Sequence, residues 1–169
     1  NFPLQGAEAP SNRISVGAIG VSSRSKRVNE QNIGSFNDVR ITACADPITS
    51  HREEFRSIMN EKYGGDVCQT HHDFRELLAR PDIDAVTICT PDHWHVSMAA
   101  AAIRAGKDLY LEKPLSLSLD WTKQLRPIVE KSDRIFQFGT QQRSDGAFQK
   151  AVNLVRNGYI GELKSIDAW

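Results

Sequence analysis

Two rhythms of apolar residues alternate along this chain. Short runs rich in β-branched residues read as strands: Ile14–Val21, Val39–Ala45, Ile83–Cys89, Asp108–Leu111 and Ile135–Phe138. Between them lie longer stretches with apolar residues three or four apart, which read as helices packed by one face. Thr49–Tyr63 carries Phe55, Ile58 and Met59 in this way, and Asp92–Ala105 carries Val96, Ala99 and Ile103. Leu117–Lys131 and Phe148–Arg156 follow the same spacing. Weaker elements fill the gaps. Val67-Cys68 is expected to be a short third strand, and Asp73–Ala79 a short helix with Phe74, Leu77 and Leu78 inward. Ser25–Phe36 is a poor helix, because Asn29, Asn32 and Gly34 disfavour it. Ile160 to Trp169 reads as a turn and an opening strand. Strand, helix, strand with tight connections is a right-handed parallel crossover, and its repetition predicts an α/β fold on a parallel sheet.

In open parallel sheets ligands bind beyond the carboxyl ends of the strands. Two segments fall at such ends and are expected to line one site: Thr90-Pro91-Asp92-His93-Trp94-His95, and Glu112-Lys113-Pro114. Together with Ala105-Gly106-Lys107 and the later Gly139-Thr140-Gln141-Gln142-Arg143, they carry a resemblance. The chain resembles the glucose–fructose oxidoreductase, inositol dehydrogenase and MocA family of nicotinamide-dependent sugar oxidoreductases. It does so over nearly everything from Arg13 onward.

The resemblance implies a Rossmann-type doubly wound parallel sheet over residues 13–139, preceded by a tail at 1–12. Residues 140–169 are then the start of a truncated α+β substrate domain. The implied cofactor is NAD or NADP, and the implied substrate a sugar or cyclitol. Lys113 becomes the catalytic residue, turned into the pocket by a cis bond to Pro114, beside the reacting oxygen. Glu112 is expected by the nicotinamide amide, and Trp94 and His95 beside its ribose. Thr90 and Pro91 join the cofactor site, with Gln142 and Arg143 at the nicotinamide and substrate end. The full-length protein is expected to form a homo-oligomer, and this chain alone to be catalytically incomplete. Many members of that family carry a twin-arginine export signal, and residues 1–12 look like the stretch that follows one. Periplasmic and cytoplasmic locations both stay open. Relatives with a similar T-P-x-x-W-H segment use NAD in a redox-neutral glycosidase cycle, which is a second reading. A cofactor-binding or assembly module without turnover is a third.

The turn after the first strand tests the cofactor expectation. A dinucleotide fingerprint places G-x-G-x-x-G there, and the aligned residues are Gly20-Val21-Ser22-Ser23-Arg24-Ser25. Gly20 can make the tight turn. Ser22 puts a Cβ where backbone normally approaches the pyrophosphate, and Ser25 stands where a glycine allows close helix–strand packing. The hydroxyls of Ser22 and Ser23 can still donate to phosphate. Arg24, Lys26 and Arg27 either reach a phosphate or form a solvated basic face. At the end of the second strand, Asp46 can accept from both ribose hydroxyls and would repel a 2′-phosphate, which favours NAD over NADP. Its alternative role is capping the next helix.

Composition narrows the classes further. Of 169 residues 40% are hydrophobic and 25% charged, as in an ordinary globular domain. The 21 basic residues balance 21 acidic ones, so nothing drives binding to nucleic acid or an anionic membrane. No apolar run approaches the roughly 20 residues a spanning helix needs. Cys44, Cys68 and Cys89 are widely spaced and expected as buried small hydrophobes rather than disulfide or metal partners. His71 and His72 are adjacent, and His93 and His95 have no second ligand pair at a suitable spacing, so no metal site is expected.

Overall fold

The computed structural model describes residues 13–167, and the expected tail at 1–12 lies outside them. Six parallel strands form one sheet in the order β3-β2-β1-β4-β5-β6: β1 Ile14–Ile19, β2 Val39–Ala45, β3 Gln69–His71, β4 Ala85–Ile88, β5 Asp108–Leu111 and β6 Phe136–Phe138. The order reverses between β1 and β4, so the crevice at their carboxyl ends is the topological switch point. The fold is the Rossmann-like α/β sheet expected from the sequence.

The two faces of the sheet feed two separate cores, with the alternation broken once where β2 shifts register against Val16 and Gly17 of β1, which is why the strand runs are apolar throughout. Ile19, Ala43, Ala45, Val86 and Ile88 face α3 (Phe74–Leu78), α4 (His95–Arg104) and α5 (Leu119–Glu130). Val16, Ala18, Ile41 and Cys44 face the other way, onto Phe55 and Met59 of α2 (Thr49–Tyr63). Gly17, inside β1, lies so close to α3 that a Cβ there would sit 2.5 Å from Leu77 Cδ2. A strand glycine marks such a close approach.

The first crossover helix departs from regularity. Its α-helical turn, α1, spans only Ser23–Lys26, then widens to π-type bonding over Arg27–Asn32 and ends in a 3-10 turn at Ile33–Ser35. Asn29, a poor helix former, is fully buried. Its amide donates to the Ser25 carbonyl at 3.0 Å and the Ser25 hydroxyl at 2.7 Å, and its oxygen accepts from Thr87 Oγ1 at 2.8 Å. The side chain thus takes up the carbonyl that the regular ladder would use. The third strand begins two residues later than expected, because Asn60 Oδ1 accepts the N–H groups of both Val67 and Cys68 at 2.9 and 2.8 Å. The expected helix from Asp92 is split into a 3-10 turn, Asp92–Trp94, followed by α4.

The chain divides into two compact units, one ending at Gly139 and the other starting at Thr140. The second unit has a 3-10 turn at Gln141–Ser144 and the helix α6, Gly146–Arg156. Asp145 Oδ1 caps α6 by accepting from Ala147 N at 2.9 Å. The opening strand expected after Ile160 is a correction: residues 161–167 have no regular structure, and the next two lie outside the described residues. No described helix is long and apolar enough to cross a membrane.

Candidate functional site

The carboxyl ends of β1, β2 and β4 surround a cleft of about 410 Å³, lined among others by Gly20, Ser22, Asp46, Thr90, Pro91 and Trp94. All six are residues the sequence nominated. Gly20 has φ +77, and a Cβ on it would meet Thr90 Cγ2 at 2.8 Å and the Cys89 carbonyl oxygen at 2.9 Å. The turn therefore lies flush on the end of β4, where only glycine fits. Ser22 precedes α1 and its side chain makes no capping bond to that helix. Ser23 is exposed and does not border the cleft. Ser25 is corrected from a packing liability to a buried bonding partner of Asn29.

Asp46, at the end of β2, is 7% exposed. Its Oδ2 accepts from Val21 N–H at 3.0 Å and its Oδ1 from Ile48 N–H at 2.9 Å. The carboxylate thus joins the glycine turn to the start of α2, with the His51 ring 3.4 Å from Oδ1. Each oxygen keeps acceptor capacity toward the cleft, since a carboxylate offers about four lone-pair sites. The far wall was not foreseen. It is formed by His51, His72, Phe74 and Arg75, with Trp94 edge-on to Phe74 at 6.4 Å and the Arg75 guanidinium 4.7 Å from the Phe74 ring centre. Phe74, expected to face inward, packs partly against the core and also borders the cleft. The rule that ligands sit beyond strand ends would have found this wall, had β3 been placed at Gln69–His71.

On the other side of β4 lies the Glu112-Lys113-Pro114 turn, with Glu112 N–H donating to the Ile88 carbonyl at 3.0 Å. The Lys113–Pro114 bond is cis, as the resemblance implied. Lys113 is exposed, so any desolvation comes from what binds over it. Glu112 is 3% exposed. Its Oε1 accepts from Arg24 Nε at 2.7 Å and Oε2 from Lys113 N–H at 2.8 Å. Arg24 therefore pairs with a buried carboxylate instead of standing in solvent, and Lys26 pairs with Glu54 across the neighbouring helices. His95 is corrected too. It is fully buried, with Nδ1 2.5 Å from the Pro114 carbonyl and Nε2 3.0 Å from the Thr90 carbonyl. Its ring staples the two site turns together and has no face open to a ligand, whereas Trp94 is 41% exposed.

Burial pushes the Cys89 thiol up to about 12, with the Glu112 charge adding to the rise and Arg24 opposing it. The thiol at this cleft is thus protonated near neutral pH. All three cysteines are free and buried. Among the described residues no group of three or more His, Cys, Asp or Glu could hold a metal ion. Gln142 and Arg143 belong to the second unit, on the 3-10 turn Gln141–Ser144.

Residues 14–140 match the model of the GFO/IDH/MocA oxidoreductase family with an NAD-binding Rossmann fold. The chain belongs to that family. Among the curated relatives of this GFO/IDH/MocA chain, an uncharacterized oxidoreductase of Bacillus subtilis is 34% identical over 149 residues, 88% of this chain and 42% of its own length. The myo-inositol 2-dehydrogenase of Thermotoga maritima is 32% identical over 147 residues, 87% of this chain and 42% of its length. Among solved structures, scyllo-inositol dehydrogenase from Lactobacillus casei with bound NAD(H) and scyllo-inositol superposes with a TM-score of 0.74 at 25% identity, over 89% of this chain and 43% of that one. The chain thus spans under half the length of these relatives.

The cleft residues fit the dinucleotide that the family binds. Thr90 Oγ1 is buried and has no partner among the described residues. Gly20 keeps the turn free of a side chain, Ser22 has a hydroxyl unused by the helix, and Asp46 borders the cleft.

Proposed function

We propose that this chain is the cofactor half of an enzyme that oxidises a CH–OH group of a cyclitol or sugar, with Lys113 at the reacting oxygen. One observation carries the reading. A cleft at the β1–β4 switch point and an exposed lysine at the end of β5 lie at the same edge of the sheet, and His95 ties the turns bearing Thr90 and Lys113 to each other. NAD, when bound, supplies the hydride acceptor. Asp46 holds the adenosine ribose hydroxyls and disfavours a 2′-phosphate, which makes NAD the preferred cofactor over NADP. Ser22 Oγ and Thr90 Oγ1 donate to cofactor oxygens. The edge-on aromatic pair Phe74–Trp94, with Arg75, walls the cleft against water. Lys113 Nζ lies at the substrate hydroxyl and receives its proton or polarises its oxygen. Glu112 anchors Lys113 through the backbone rather than meeting the nicotinamide amide directly.

A second reading has one observation in its favour. A glycosyl hydrolase family 109 protein of a Shewanella strain is 31% identical over 154 residues, 89% of this chain and 33% of its own length. In that reading NAD is regenerated within each cycle and a glycosidic bond is cleaved.

The test is NAD reduction by the protein carrying this chain, against a panel of cyclitols and sugars. The expected result is net NADH formation, with Lys113→Met lowering kcat about 10²-fold or more while NAD affinity stays within about threefold. Glycoside cleavage without net NADH supports the second reading. Cofactor binding with neither activity supports a binding module.

A further inference from the structure

Arg24 and Glu112 are 88 residues apart in sequence yet bonded across the crevice. Arg24 belongs to α1, just past the Gly20–Ser22 turn, and Glu112 closes β5 immediately before Lys113. We propose that Arg24 is a positioning residue: it holds the Glu112 carboxylate so that Glu112 in turn fixes the Lys113 backbone, coupling the cofactor turn to the catalytic turn. The inference rests on the function proposed above and deepens it.

The two oxygens of Glu112 divide the work. Oε1 receives Arg24 Nε and Nη2, and Oε2 receives the Lys113 N–H at 2.8 Å. A carboxylate 3% exposed needs its charge compensated, since an unpaired buried charge is strongly unfavourable. Arg24 supplies the cation, and a guanidinium supplies it with a fixed direction that an ammonium does not. The charges of both groups reach the cleft and its neighbouring strand. After burial, Glu112 raises and Arg24 lowers the pKa of both Cys89 and Tyr110. Arg24 itself is 40% exposed by side chain and follows Ser22 by two residues. The basic residues beside it are not so placed: Lys26 pairs with Glu54, and Arg27 is exposed.

The experiment is an amide ¹⁵N–¹H spectrum of the chain, with and without NAD, for wild type, Arg24→Lys, Arg24→Met and Arg24→Met/Glu112→Gln. The expected result is a Lys113 amide resonance that moves in Arg24→Met before any cofactor is added, with Arg24→Lys recovering part of the change. The response of that resonance to NAD is expected to fall by about half or more. In the complete enzyme, Arg24→Met lowers kcat about tenfold with KM for NAD changed far less. A Lys113 amide unmoved in Arg24→Met overturns the proposal. If Arg24→Met does not fold, the double variant, which removes the buried charge, is read instead. A Lys113 amide at its wild-type position there overturns the proposal equally. Failure of the wild-type chain to bind NAD would count against the cofactor reading, and is distinguishable because the Lys113 position in the free chain is read without cofactor.

Discussion

Ser22 and Ser25 stand where a dinucleotide fingerprint has glycines, and their surroundings assign them opposite consequences. Ser22 borders the cleft with a hydroxyl the helix does not use. Ser25 is fully buried and accepts from Asn29 at 2.7 Å, while Asn29 accepts from Thr87 on β4. Ser22→Gly is expected to tighten NAD binding by a few-fold, because backbone can then approach the diphosphate. Ser25→Gly is expected to leave affinity no better and to cost about 1–3 kcal/mol, from a lost buried hydrogen bond and a glycine in a helical turn. Denaturant titration checks the second, as a lower midpoint with unchanged slope. From the residues alone both serines are departures from the glycine fingerprint. Only the strand partner, Thr87, reveals that Ser25 belongs to a small polar network, and the sequence carries no sign of a pairing across that separation.

At the scale of elements, the long periodic segments were readable because burial of one face dictates them. β2 and α2 run over the residues expected, Val39–Ala45 and Thr49–Tyr63. The misread elements are those governed by single side chains. Asn60 takes the N–H groups of Val67 and Cys68 and delays β3, and Asn29 widens α1 into a π-type run. Lys107 is another such side chain. In the sequence it is one charge in a turn; in the fold it is 6% exposed and donates to the Arg80 and Ile83 carbonyls at 2.6 and 2.8 Å. It thereby fastens the turn before β5 to the loop before β4. Lys107→Met is expected to lower stability by about 1–3 kcal/mol, since it leaves two carbonyls unpaired at a largely buried site. Arg104→Met, on the exposed surface of α4, is the matched control and is expected to change stability by less than about 0.5 kcal/mol. Thermal or denaturant unfolding of both variants checks the contrast.

At the scale of the molecule, the chain order of strands and the switch point between β1 and β4 place one cleft at one edge of the sheet. Six nominated residues meet there, and two histidines show the limits of nomination by pattern. His95 turned out to be an enclosed staple between two turns, whereas His72, not nominated for the cofactor site, is exposed and lines the wall beyond β3. A strand-end motif identifies the edge of the sheet that binds. It does not say which side chain turns outward, because that depends on packing between elements distant in sequence. The central claim is that this edge binds NAD, with Asp46 reading the ribose. The most direct test is a calorimetric titration of the chain with NAD and, separately, with NADP. The account predicts saturable binding of NAD in preference to NADP, with the preference lost in Asp46→Ala. Tighter binding of NADP, or no binding of either even in Ser22→Gly, would contradict it.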